Sequence, residues 1–393
     1  MKRVFLILGA VALGIVNANA QKNPDVLFLG KNESKRAEMI LPQVNGYNIY
    51  KADLHTHTVF SDGAVLPKVR IAEAFNDGLD IIALTDHIEF RTNEEAFLLA
   101  TKGYHKSLPE AKNHLIHREP ADKDGILADL NLPFKLADKY SKRYDIMVIR
   151  GVEISRHPEN YGHFNALFVK DANKIYDPDI EKSFRNAKAQ GALIMHNHPG
   201  WRRSTTDKNE FHERVYSEGL IDGIEIINGH SACPKLIKRC LDEKLFVGAG
   251  TDMHTGSNYE KHCRPCTFIF AKERTESEIK KALEEGRTLA YSHHNVMGEK
   301  QLLSALFNAS IIAKVISTSS SVEMSVALTN TSSIPYHIRR GKKGNGLHIA
   351  PFQTGIVKLK KEQKLEYYVT NMWYADGDTP NGGNPKILIE WDK

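Results

Sequence analysis

Cysteine is scarce in this sequence: Cys233, Cys240, Cys263 and Cys266 are the only four in 393 residues. So few exclude a small disulfide-stapled scaffold. Cys263-Arg-Pro-Cys266 could close a small disulfide, the irregular spacing of the four speaks against a structural zinc, and free buried thiols are the plain reading. Neither sign of charge is in excess, with 53 Lys and Arg against 48 Asp and Glu. Nucleic-acid binders concentrate a basic stripe, so no nucleic-acid partner is expected. The one dense basic cluster, Arg339-Arg340-Gly341-Lys342-Lys343, lies between two strand-like segments and reads as a solvated loop. Low-complexity tracts, literal repeats and, beyond residue 20, long apolar runs are missing too.

What remains is ordinary globular material, 41% hydrophobic and 26% charged, enough for a sizeable core. The length suggests two domains. The first twenty residues, MKRVFLILGAVALGIVNANA, place Lys2 and Arg3 before an apolar run from Val4 to Val16, then Ala18-Asn19-Ala20. That order is the pattern of a secretory signal. The run is shorter than the ~20 residues a membrane span requires. A soluble, exported mature chain without a stable membrane anchor is therefore expected, periplasmic or extracellular, with net charge falling from +5 to +3 as Lys2 and Arg3 leave.

From there to about residue 297 one unit recurs: a helix-like segment, a turn or glycine, then a short apolar strand. LPKVRIAEAFNDG leads into LDIIALTDH, DIEKSFRNAKAQG into ALIMHNHP, EFHERVYSEGLI into DGIEIIN, and PKLIKRCLDEK into LFVGAGTDMH. With NIYKADLH, DIMVIRGVE and HFNALFVK, about seven strands emerge. Such alternation predicts a parallel α/β arrangement, closed or nearly closed into a barrel. The charged, histidine-rich segment from Glu89 to Asp145 predicts helices or a lid, with His105, His114 and His117 on the surface. Past residue 298 short alternating strands separated by TSS, GKKGNG and ADGDTPNGGNP turns predict a small antiparallel β-sandwich without catalytic residues. The expected organisation is thus a signal peptide over 1–20, a barrel domain over 21–297 and a sandwich over 298–393.

His55, Asp86, Glu153, His198, Asn228 and Asp252 fall at the carboxyl ends of the strand runs, which share one face in a parallel barrel. His55-Thr56-His57, His196-Asn197-His198 and Asp252-Met253-His254 are i, i+2 pairs, and period two puts both members on one face of a strand. One such pair is weak evidence among 18 histidines. Gathered at one mouth with Glu153, His163 and Asp86-His87, they would be costly to bury without a cation. Mixed imidazole and carboxylate donors suit Zn, Mn or Fe, and more than four ligands imply more than one ion.

DLHTHTVFSDG, ALTDH, GVE, HNHPG and GTDMH are similar, in order and spacing, to the five successive metal motifs of the PHP (polymerase and histidinol phosphatase) family. The resemblance runs from about residue 50 to 297. It implies a distorted seven-stranded (β/α) barrel with two or three divalent ions that hydrolyses phosphate esters. Carried over residue by residue, His55, His57, Glu153 and Asp252 would hold the first ion. Glu153 would bridge to a second held by His163 and His198, and Asp62, His87 and His254 would hold a third. His196 would share the direction of His198 as a supporting or substitute ligand, and Asp86 would orient a ligand or act as general acid. Arg202, after His198-Pro199-Gly200, is the candidate for gripping phosphate. The signal and the extra C-terminal module resemble secreted PHP phosphodiesterases acting on small organic diesters. The alternatives are monoester hydrolysis of nucleotides or sugar phosphates, a non-catalytic binding protein, and an amidohydrolase-type reaction.

Overall fold

Apolar residues on both faces of a strand demand cover on both sides, and the structure, a computed structural model, supplies it. It describes residues 36–91, 93, 129–156, 161–317, 323–341, 345–360, 363–376 and 382–390. The leader-like segment and His105, His114 and His117 lie outside the described residues.

The seven expected strand runs are all strands: β1 (Asn48–Asp53), β2 (Ile81–Leu84), β3 (Met147–Ser155), β4 (His163–Leu167), β5 (Leu193–Asn197), β6 (Gly223–Asn228) and, after a short β7 (Ser231–Ala232), β8 (Phe246–Gly250). Three more follow, β9 (Cys266–Ala271), β10 (Thr288–Ser292) and β11 (Asn295–Gly298). The sheet exceeds the expected seven strands, reaching twelve among the described residues, in the order β11-β10-β9-β1-β2-β3-β4-β5-β6-β7 with β8 also on β6 and a late strand beyond β11. It curls, because an isolated parallel bridge joins Thr56, beyond β1, to Met253, beyond β8.

Helices α1 (Pro67–Asn76), α2 (Leu132–Tyr144), α3 (Ile180–Ala189), α4 (Glu210–Ser217), α5 (Leu236–Asp242) and α6 (Glu276–Glu284) occupy the expected helix-like stretches and the segment before β10. Their starts carry the chemistry that satisfies free N–H groups: Pro at the first turn of α1, the Asp179 carboxylate on α3, a capping box from Asn209 on α4 and Thr275 on α6. On β2, Ile81 and Ala83 join one core cluster with Leu193, Met195 and Phe246. Ile82 and Leu84 join a second with Ile71 and Ala74 of α1 and Phe184 of α3. Alternation thus fills both faces of the curled sheet.

The sheet is not parallel throughout, as the alternating units predict. β4 runs antiparallel to both β3 and β5, and β1, β9, β10 and β11 are joined antiparallel in series. Parallel neighbours need a crossover of a dozen residues or more, and the β3–β4 connection, Arg156 to Gly162, is too short for one. Reversal puts the start of β4, not its end, at the shared mouth: His163 pairs in register with Ser155 and with Asn197.

After α7 (Lys300–Ser310), the chain forms two small antiparallel sheets. Strands β12 (Ile311–Ser317), β13 (Glu323–Asn330) and β16 (Thr354–Lys360) make one, and β14 (Tyr336–Arg339), β15 (Gly346–Ile349), β17 (Glu366–Val369) and β19 (Lys386–Leu388) the other. On β13, Met324, Val326 and Leu328 are buried while Ser325, Ala327 and Thr329 are less so, the period-two pattern the sequence shows. Strand β18 (Met372–Trp373) returns to pair in parallel with β11. All four cysteines are free thiols, so Cys263 and Cys266 do not pair.

Candidate metal centre

The mouth of the curled sheet begins where β1 ends. His55 and His57 are fully buried, and their Nε2 atoms lie 3.1 Å apart. Each also faces carboxylates: His57 Nε2 is 3.2 Å from Glu153 Oε2 and 3.1 Å from Asp252 Oδ1, and His55 Nε2 is 3.3 Å from both. Glu153, late on β3, carries His163 Nδ1 at 3.0 Å on its other oxygen and His87 Nδ1 at 3.1 Å on Oε2. Asp62 closes the outer end, 3.1 Å from His254 Nε2 and 3.6 Å from His87 Nε2.

All nine side chains that the resemblance assigns to metal therefore meet. They form four overlapping groups, each with ligand atoms within 4.8 Å of one another: His57, Asp62, His87 and His254; His55, His57 and Glu153; His55, His198 and Asp252; Glu153, His163 and His198. Glu153 Oε2, though crowded by three imidazoles, is buried without a hydrogen-bond partner. An orphaned carboxylate oxygen among converging imidazole nitrogens is the environment a divalent cation completes, so these residues fit such ions.

Electrostatics prepare most of the set. Burial would raise the Glu153 carboxyl, but the imidazoles of His87, His55 and His163 hold it well below its ordinary value. Burial likewise opposes ionisation of Asp62, yet His254, His87 and His57 bring it down to about 2. Burial lowers His87 to about 3 and also lowers His198, leaving both neutral and able to donate lone pairs at pH 7. His57 behaves oppositely: burial pulls it down, but the neighbouring carboxylates of Asp252 and Glu153 raise it to about 10.

Supporting residues fix these side chains. Glu225, buried on β6, accepts from His55 Nδ1 at 3.1 Å, from the His198 backbone N–H at 3.0 Å and from Asn228 Nδ2 at 3.0 Å. It sets the tautomer that turns His55 Nε2 inward. Sequence reasoning missed Glu225; its signal is a carboxylate inside the buried apolar strand GIEIIN. Asn197 was also missed, and donates to Glu153 Oε1 at 2.9 Å.

Two expected roles are corrected. His196 does not point with His198: its Nδ1 lies 2.8 Å from the Tyr216 hydroxyl and its ring stacks on Phe164 and His212, away from the cluster. Alternation fails because β5 ends at Asn197 and His198 adopts φ 27°, so Asn197 and His198 both face the site. Of its two expected roles Asp86 shows the supporting one in place of the acid: its oxygens accept from Thr58 N (2.6 Å), Thr58 Oγ1 (2.7 Å) and Ser61 Oγ (2.8 Å), tying down the turn that leads to Asp62. Arg202 is exposed, its guanidinium 4.3 Å above the Trp201 ring, and that ring lies 5.0 Å from His163 and 5.5 Å from His198. This brings the Arg202–Trp201 pair to the rim of the cluster.

A PHP domain model matches residues 53–282, the stretch that carries all nine converging side chains. The chain belongs to the PHP family. A solved two-domain protein from Bacteroides vulgatus, described as containing a predicted PHP-like metal-dependent phosphoesterase, is 31% identical; the match covers 90% of this chain and 99% of that one, with a TM-score of 0.75. Weaker likenesses include an amidohydrolase from Chromobacterium violaceum with bound sulfate, 16% identical over 53% of this chain and 91% of that one, TM-score 0.34. A lesion-specific endonuclease from Pyrococcus furiosus is 15% identical over 60% of this chain and 56% of that one, TM-score 0.38. No curated protein matches the sequence.

Proposed function

We propose that this PHP protein is a metal-dependent phosphoesterase whose preferred substrates are small organic phosphodiesters. The observation that carries the reading is the convergence of nine imidazole and carboxylate side chains at one mouth, with the buried Glu153 Oε2 among them left without a hydrogen-bond partner. The Bacteroides relative, described as PHP-like and metal-dependent, supports the same reaction class. In this reading His55, His57, Asp62, His87, Glu153, His163, His198, Asp252 and His254 hold two or three ions of Mn, Zn or Fe. Bound ions would supply Lewis acidity, making water reactive at neutral pH and neutralising phosphoryl oxygens.

The chain's own residues do the rest. Glu153, buried and ionised, spans the His163 side and the His55–His57 side, so it couples the groups. The Arg202 guanidinium, resting on Trp201, would take the phosphate oxygens and hold the ester against the cluster. Burial of His55, His57 and His87 keeps bulk water from competing for them. The order of residues 1–20 supports export, and the alternating pattern past residue 298 supports a separate sandwich module.

A panel assay tests the reaction: purified protein with Mn, Zn or Fe against bis(aryl) diesters, aryl monoesters and nucleotides. Diester hydrolysis abolished by His55→Ala is the expected result. Full activity in His55→Ala would refute the metal reading, and turnover of monoesters alone would replace the diester assignment with a phosphatase.

A further inference from the structure

Arg70 is out of place by composition. Helix α1 buries a stripe of Pro67, Arg70, Ile71 and Ala74, and the guanidinium in that stripe is completely shielded from solvent. Burying a cation is costly unless every donor finds an acceptor. Here Nε donates to the His57 carbonyl at 2.7 Å, Nη2 to the Met253 carbonyl at 2.6 Å, and Nη1 to the Thr255 carbonyl at 2.6 Å and to Glu73 Oε2 at 2.8 Å. Three of the four acceptors are main-chain atoms of the two segments that carry His57 and His254.

Those segments are not otherwise part of one continuous ladder. They meet through the His57 N–H to the Met253 carbonyl at 3.2 Å and the Ala64 N–H to the His254 carbonyl at 2.6 Å. Between them the His57 and His254 rings stack at 4.3 Å with their planes 19° apart. Glu73 completes the brace, its other oxygen accepting from the Ser257 N–H at 2.9 Å. The planar fork thus spans 183 to 185 residues of sequence and fixes two imidazoles relative to each other. His55, by contrast, is oriented by Glu225, and Glu153 by Asn197, with no contribution from α1.

We propose that Arg70 is a positioning residue for the part of the centre where His57 and His254 stack, so that its loss weakens an ion held by His57, Asp62, His87 and His254 more than the rest of the centre. The inference rests on the metal reading above. Lysine keeps the charge but cannot present the fork, so Arg70→Lys separates geometry from charge.

The experiment titrates metal-free wild type, Arg70→Lys and Glu73→Gln with Mn2+ and counts bound equivalents after dialysis. Electron paramagnetic resonance of the bound Mn2+ distinguishes loss of one ion from uniform weakening. Arg70→Lys should lose one equivalent, or bind it about 10–100-fold more weakly, while the remaining ions lose clearly less affinity. Glu73→Gln should weaken the same equivalent by less, and carries the test if Arg70→Lys does not fold. Unchanged uptake in Arg70→Lys, or equal weakening of every equivalent, would overturn the inference. A wild type that binds no Mn2+, Zn2+ or Fe2+ would overturn the metal reading itself.

Discussion

Asp53→Asn should destabilise the protein well beyond what a surface change could do. Asp53 is completely buried at the end of β1, and every group around its carboxylate is a donor. Oδ1 accepts from the Thr251 N–H at 3.0 Å and the His55 N–H at 3.2 Å; Oδ2 accepts from Thr251 Oγ1 at 2.7 Å and from Arg264 Nη2 at 2.8 Å and Nε at 3.2 Å. An asparagine must turn its NH2 toward donors in either orientation, and it removes the charge opposite a guanidinium that is itself buried. Breaking such a pair costs about 3–5 kcal/mol. Arg264 retains Asp77 at 2.8 Å, which argues for the lower end, about 3 kcal/mol. At roughly 2–4 °C per kcal/mol for domains of 150–250 residues, and less in a longer chain, the melting midpoint should fall by about 5–10 °C. Urea unfolding of Asp53→Asn, Arg264→Met and the double variant measures this directly, the double losing less than the sum of the singles. An Asp53→Asn protein within about 0.5 kcal/mol of wild type would refute the reasoning.

Glu225→Gln should leave the fold intact but lower metal affinity by about 10–100-fold, because the amide no longer fixes the His55 tautomer as the carboxylate does; competition against a chromophoric chelator measures it, and unchanged affinity sinks the assignment. Loading the metal-free protein at pH 7 should release protons. His57 is raised to about 10 before loading, so its protonated form competes with the cation at every lower pH and apparent affinity climbs as pH rises toward that value. Calorimetry in buffers of different ionisation enthalpy reads the proton count, and a count of zero contradicts a ligand role for His57.

Much of the centre was legible because its parts are local. Each strand of a βα unit delivers its last residues to one mouth, so His55, Glu153 and Asp252 could be placed from short patterns alone. What escaped depends on backbone geometry or on distant partners. The i, i+2 rule chose His196 and passed over Asn197, because nothing in HNHPG signals the left-handed turn at His198. His163 was assigned through the family resemblance, yet its place at the mouth depends on a chain reversal visible only as a short connection. Glu225 was hidden in an apolar run, and Asp53 finds Arg264 across 211 residues. The twelve-strand sheet escaped the count of seven because β9–β11 pair antiparallel in series beside β1, outside the repeating unit, and the two-residue strands β7 and β18 add to its edges.

Strand β18 has a consequence for the order in which the protein can be made. Val296 and Met297 of β11 gain their second neighbour from Met372 and Trp373, and the Asn371 amide donates to the His294 carbonyl at 2.8 Å. While the chain is being synthesised, β11 emerges about seventy-five residues before the strand that covers it, so the sheet has an open edge through most of the C-terminal segment. Unpaired edges recruit other chains. Strand β18 therefore closes an edge that the nascent sheet leaves open, and removing it exposes β11 without touching the metal ligands.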